Sequence, residues 1–209
     1  MREIILSDDE VLDELKRSNM KNALLNGRSA RWPTNVVTIY IHKPKPVTPT
    51  NQPYVELVAD AIQEINRRLP LTLRLVERMD ANIWVKFGTA FVPEGKTNYQ
   101  DYAANVSCIV GKGDEITCSD DGTIDSAVWI NIGHGNHVAS ECDCTVNVET
   151  VIHEFGHALG LGKHFKGFGI DMAISEAFWD VLATLYAYDP GQPFAEMKAQ
   201  RAGPGQQQG

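Results

Sequence analysis

Three histidines stand within twelve residues of this 209-residue chain, and two of them frame a glutamate in His153-Glu154-Phe155-Gly156-His157. This is an H-E-x-x-H pattern on a segment with helical periodicity. A spacing of four places both imidazoles on one helix face, about one turn apart, where both can reach one zinc ion. Glu154 is one step round the helix, so its carboxylate can lie beside the metal without binding it. Zinc lowers the pKa of bound water to roughly 7. A carboxylate so placed can take the water's proton as general base and deliver it to a leaving amine. The chemistry expected is hydrolysis of a peptide bond.

Two histidines hold catalytic zinc poorly, so a third protein ligand is required. The run His153, Glu154, His157, Gly160 resembles the metzincin metallopeptidases, whose motif is H-E-x-x-H-x-x-G-x-x-H followed by a methionine turn. Here the expected third histidine position is Lys163, and the histidine comes one residue later, at His164. An ammonium with an ordinary pKa near 10 has no lone pair for zinc at neutral pH. Gly160 and Gly162 can both take positive φ, and a bend one residue longer brings His164 to the metal.

The resemblance is strongest to the matrixins among the metzincins. Met172 lies eight residues after His164, as the turn methionine does in that family. Arg31-Trp32-Pro33, the segments INRRLPLTLRLVE and ANIWVKFG, and DVLATLY (180–186) are matrixin-like in the family's order. The resemblance covers about residues 31 to 188. It implies a zincin or metzincin-like α/β (α+β) domain, with a twisted mixed sheet of four to five strands. A long helix and an active-site helix accompany the sheet, and a small C-terminal subdomain holds one helix. It also implies that Met172 forms a hydrophobic floor beneath the metal. The strand holding Val128, Trp129, Ile130 and Asn131 would be the sheet edge that pairs with an extended substrate. The family's cysteine-switch propeptide motif is absent.

Other assignments compete. Residues 174–180, ISEAFWD, look like the downstream helix of gluzincins, which makes Glu176 the rival third ligand. A metzincin-fold module that binds partners without cleaving them is a second alternative, against which the retention of Glu154 speaks. A deformylase-like amidohydrolase is a third, and its upstream cysteine motif is not found. SDDGTID (119–125) offers oxygen donors for a structural Ca2+, as matrixins have, but lacks the EF-hand spacing and reads more simply as an acidic turn. His134 and His137 follow the fourth strand and read as surface-loop histidines, the alternatives being a place in the cleft lining or a second zinc site; His42 reads as structural or exposed.

The elements that must position these groups follow from periodicity and capping. Ser7 and Glu10 form a capping box for a helix over 7–26, stopped by Gly27. VVTIYI (36–41), LTLRLVE (71–77), ANIWVKF (81–87) and AVWINI (127–132) read as strands. Residues 54–68 set Val55, Val58, Ala59, Ile62 and Ile65 on one helical stripe. The active-site helix spans 147–160, with a core stripe of Val148, Val151, Ile152, Phe155 and Leu159. A last helix covers 175–187 and turns Phe178, Val181, Leu182 and Leu185 inward. Residues 88–126 read as irregular. The expected domains are an N-terminal helical appendage or prosegment (1–30), a catalytic domain (31–190) and a flexible tail (191–209).

Composition narrows the class. Hydrophobic residues make up 43% and charged residues 22%, an ordinary globular balance for one domain. No apolar run is long enough to span a bilayer. The net charge of −8 opposes binding to a phosphate backbone, so no nucleic-acid partner and no membrane partner are expected. The expected partner is a peptide or protein substrate, and the expected state is a monomer. Cys108, Cys118, Cys142 and Cys144 cluster just before the motif and read as two disulfides with open connectivity. MREIILSDDE shows no secretion signal. The cysteines and the resemblance nevertheless imply a secreted or extracytoplasmic protein.

Overall fold

The computed structural model describes residues 3–19, 26–42, 52–77, 80–88, 104–108, 116–134 and 146–203. Its elements run α1 (Asp8–Ser18), β1 (Val36–His42), α2 (Gln52–Arg68), β2 (Thr72–Leu75), β3 (Ile83–Gly88), β4 (Ala104–Cys108) and β5 (Val128–His134). There follow α3 (Val148–Ala158), two short strands β6 (Phe165–Lys166) and β7 (Gly169–Ile170), α4 (Glu176–Tyr186) and a 3-10 turn (Phe194–Glu196). This is the mixed α/β architecture expected.

Alternation of apolar residues builds the sheet. Val37 and Ile39 on β1, Leu73 on β2, Ile83 and Val85 on β3, and Val128, Ile130 and Ile132 on β5 all turn to one face and are buried. That period of two is what a sheet with one face on a core requires. Against that core lie α2 and α3, which contribute Val58, Ala61, Ile62, Ile65, Val151, Ile152 and Phe155. Ala59 is exposed and Ala61 takes its place in the core.

The strand order is β2-β1-β3-β5-β4, with β2, β1, β3 and β5 parallel and β4 antiparallel to β5. The expectation that Val128, Trp129, Ile130 and Asn131 form a sheet edge is therefore corrected. Residues 83–86 of β3 pair with 128–131 on one side, and β4 pairs with them on the other. Both hydrogen-bonding edges of β5 are thus occupied, and the free edge on this side belongs to β4, which lies within the segment read as irregular.

The first and last described segments pack on the body of the domain. α1 has the expected capping box, Ser7 and Glu10 bonding reciprocally, but it stops at Ser18 instead of running to residue 26. Val11 and Leu15 are fully buried, and α1 packs on α4. Of residues 191–209, expected as a flexible tail, those up to 203 are described, and two of them are packed into the core. Phe194 and Met197 are buried. Asp180 accepts from Arg201 Nη1 at 2.7 Å and from the Ala202 N–H at 2.9 Å. Arg201 also donates to the Leu6 carbonyl at 2.9 Å and pairs with Asp8. One guanidinium thus ties the C-terminal strap to α4 and to the start of α1.

Candidate metal centre

α3 starts at Asn147, whose side chain accepts from Thr150 N–H at 2.8 Å. Val151, Ile152, Phe155, Ala158 and Leu159 anchor it in the core. That anchoring leaves His153 and His157 on the face turned toward the segment that follows. The helix ends in a bend where Gly160 takes φ +122°. Lys163, at the position where the motif would have its third histidine, is exposed.

The bend brings His164 back over the helix. The Nε2 atoms of His153, His157 and His164 form a nearly equilateral triangle, with sides of 3.0 Å (153–164), 3.1 Å (157–164) and 3.2 Å (153–157). Three corners of a tetrahedron with Zn–N bonds of about 2.0–2.1 Å are roughly 3.3–3.4 Å apart, so the spacing suits one metal ion. The outer nitrogens fix the tautomers. Nδ1 of His157 donates to the Leu161 carbonyl at 2.6 Å, and Nδ1 of His153 lies 3.2 Å from the Ala173 carbonyl. A carbonyl can only accept, so Nδ1 carries the proton in both rings and each neutral Nε2 presents a lone pair. Two lone pairs facing each other at 3.2 Å repel unless a cation lies between them. Among the described residues this is the one group of three metal-ligating side chains with converging ligand atoms.

Burial reinforces the neutral state. Desolvation pushes the His153 imidazole down to about 4, against the hydrogen bond to Ala173 and with His164 adding repulsion. It pushes His157 down to about 3, with His153 and His164 adding to the effect. His164 is lowered for the same reason. Apolar surface beside all three comes from Phe168, itself fully buried, whose ring centroid lies 4.5, 4.9 and 5.5 Å from those of His153, His157 and His164. Met172 lines the cleft beside His153 and His164, together with Thr150, Gly169, Asp171 and Ala173.

Glu154 is 7% exposed, with no hydrogen-bond partner among the described residues, and burial alone pushes its carboxyl up to about 8. Glu176, the rival ligand, is not with the histidines. It pairs with Arg68, whose guanidinium lies over the Trp179 ring. The start of α4 faces the end of α2, so the helix dipole and that cation account for the acid.

The acidic loop 119–125 satisfies its own charge. The Asp121 carboxylate accepts from Ser119 Oγ at 3.0 Å and from Thr123 N–H at 2.9 Å, the pattern of an ordinary turn rather than a calcium site. His42 ends β1 and is exposed. The side chains of Cys108 and His134, with the residues His137, Cys142 and Cys144, lie outside what is described, and with them the connectivity of the cysteines.

Phe168 and the carbonyls of Leu161 and Ala173 were missed by sequence reasoning. A backbone carbonyl has no residue signature. Phe168 lies outside any periodic element, so nothing in its spacing marks it.

The chain matches no protein-family model and no curated protein. Among solved structures it is similar to the structure of myroilysin, with a TM-score of 0.35 and 24% identity. That likeness covers 65% of this chain and 52% of the other, so this chain spans about half the length of the protein it matches. A likeness of that size bears on neither activity nor substrate.

Proposed function

We propose that this chain is a zinc-dependent endopeptidase of metzincin type. The observation that carries the reading is the triangle of three Nε2 atoms with the Nδ1 atoms of His153 and His157 tied to carbonyls. His153, His157 and His164 would hold the ion, which when bound supplies Lewis acidity toward a carbonyl and toward water. Glu154, adjacent in sequence and buried without a hydrogen-bond partner among the described residues, takes a proton from the attacking water and returns it to the leaving amine. The cleft lined by Thr150, Asp171, Met172 and Ala173 receives the substrate beside the ligands. The clustered cysteines favour work outside the reducing cytoplasm.

A peptide-library cleavage profile with and without chelator, run beside Glu154→Ala and a zinc stoichiometry measurement, tests the reading. Chelator-sensitive cleavage that disappears in the variant is the expected result. Absence of stoichiometric zinc, or equal cleavage by the variant, overturns it.

A further inference from the structure

The bend between His157 and His164 is one residue longer than the motif it resembles, so something must hold it. The last carbonyls of α3 and the first of the bend are normally orphaned at a helix end. Here each is taken in turn by a side chain. Trp32 Nε1 donates to Ala158 O at 2.9 Å, Tyr186 Oη to Leu159 O at 2.9 Å, Asn19 Nδ2 to Gly160 O at 2.9 Å and His157 Nδ1 to Leu161 O at 2.6 Å. The third comes from the N-terminal segment, outside the region of resemblance.

Asn19 uses its whole amide. Besides Gly160 O, Nδ2 donates to Ala30 O at 2.8 Å, and Oδ1 accepts from Ala30 N–H at 2.7 Å. Asn19 and Leu161 form an isolated antiparallel bridge. The preceding Ser18 carbonyl accepts from Gly162 N–H at 2.7 Å and from Lys163 N–H at 3.3 Å. Gly160, Gly162 and Lys163 are therefore held through their backbone by Ser18 and Asn19, Leu161 stands opposite Asn19 in the bridge, and His164 is the next residue. This also gives a reason for α1 to stop at Ser18: continuing the helix would withdraw both groups from the bend.

We infer that Asn19 is a positioning residue for the metal centre, setting the longer bend so that His164 meets the other two ligands. The inference rests on the metal-centre reading above. It makes α1 part of the binding unit rather than an appendage.

The test is metal affinity, with Zn2+ by competition against a chelator and Co2+ by the visible absorption of the bound ion. Asn19→Ala and Asn19→Ser are compared with wild type. Serine keeps a hydroxyl near Ala30 but is too short to reach Gly160 O. Trp32→Phe is the control, since it removes an equally buried hydrogen bond two residues earlier, to the last residue of α3, and none to Gly160–Lys163. Outer-shell residues that orient ligands typically carry 10–100-fold in metal affinity. The expected result is a loss of about that size in both Asn19 variants, with a changed Co2+ spectrum, under conditions where circular dichroism shows an intact fold. Trp32→Phe should stay within about threefold of wild type even where its Tm falls as far. Wild-type affinity in the Asn19 variants overturns the positioning role, as does loss of fold in both while Trp32→Phe folds. If wild type itself binds neither ion, it is the metal-centre reading that fails.

Discussion

Gly169 packs directly on the imidazole of His164: a Cβ at this position would lie 2.5 Å from its Cδ2 and 2.7 Å from its Cγ, and 2.9 Å from Cε1 of His153. Gly169 also sits at φ +72°, where an L side chain is strained. Gly169→Ala should displace His164 and cost about 1 kcal/mol or more from backbone strain alone. Zinc content after desalting, read beside Tm, checks this. Full zinc retention by the variant would show that the ring can move without losing the ion.

The fates of the two candidate third ligands separate cleanly. His164→Ala leaves only two converging nitrogens and should abolish zinc retention. Glu176→Gln disturbs a partly exposed pair with Arg68, and exposed pairs contribute roughly 0–1 kcal/mol. It should keep stoichiometric zinc with at most a small drop in Tm. The reverse pattern would restore Glu176 as the ligand.

Glu154→Gln keeps the three imidazoles and removes only the proton shuttle. Cleavage should fall by roughly 10²–10⁴-fold with zinc content unchanged. The same substitution has a second signature in chelator-treated protein. The folded carboxyl is raised to about 8 from 4.5, so its favourable contribution is present below about 4.5 and lost as pH rises towards 8. The variant should thus gain stability over wild type at pH 8 and little at pH 4.5. Thermal melts at the two pH values give the comparison.

How much of this was readable beforehand depended on whether the information was local. His153 and His157 were legible because the helical period alone fixes residues four apart on one face. The strands β1, β3 and β5 were legible because alternating apolar residues fix one face with a period of two. β4 was not: ANVSC has a single β-branched residue at its centre, and the strand exists because β5 offers it an edge. The stop of α1 was misplaced because Asn19 is captured by Ala30 and Gly160, and the latter lies 141 residues away. The edge role given to residues 128–131 failed through the same missing strand. Phe168 had no pattern to betray it, since it lies between two strands of two residues each.

The histidines give the metal-free protein an acid limit. His153 and His157 titrate near 4 and 3 in the folded chain and near 6.5 when unfolded. A lowered folded pKa means their contribution is complete above about 6.5 and lost as pH falls through 4 to 3. Tm of chelator-treated protein should therefore decline steadily below pH 6.5. In His153→Gln/His157→Gln double-substituted protein the decline should be shallower. Parallel curves for the two proteins would show that the imidazoles do not govern acid stability.

The C-terminal strap should matter to the first helix. The Asp180 side chain is 6% exposed and holds Arg201, which is 45% exposed and also contacts Leu6 O and Asp8. Breaking a buried pair from one side costs about 3–5 kcal/mol. Because the arginine is half in solvent and Ala202 N–H still bonds Asp180, roughly 1–3 kcal/mol is the expected cost of Arg201→Ala. Two links between the strap and the start of α1 disappear with it, so hydrogen exchange should speed up across residues 3–18. Asp180→Asn keeps the bond from Ala202 N–H and leaves the cation only Asp8 as charge partner, so it should produce a smaller loss of the same kind. Since α1 ends in Ser18 and Asn19, loosening it should also weaken zinc retention in Arg201→Ala, by less than in Asn19→Ala. Faster exchange in α1 with unchanged zinc affinity would separate the anchoring of the helix start from the hold its far end has on the bend.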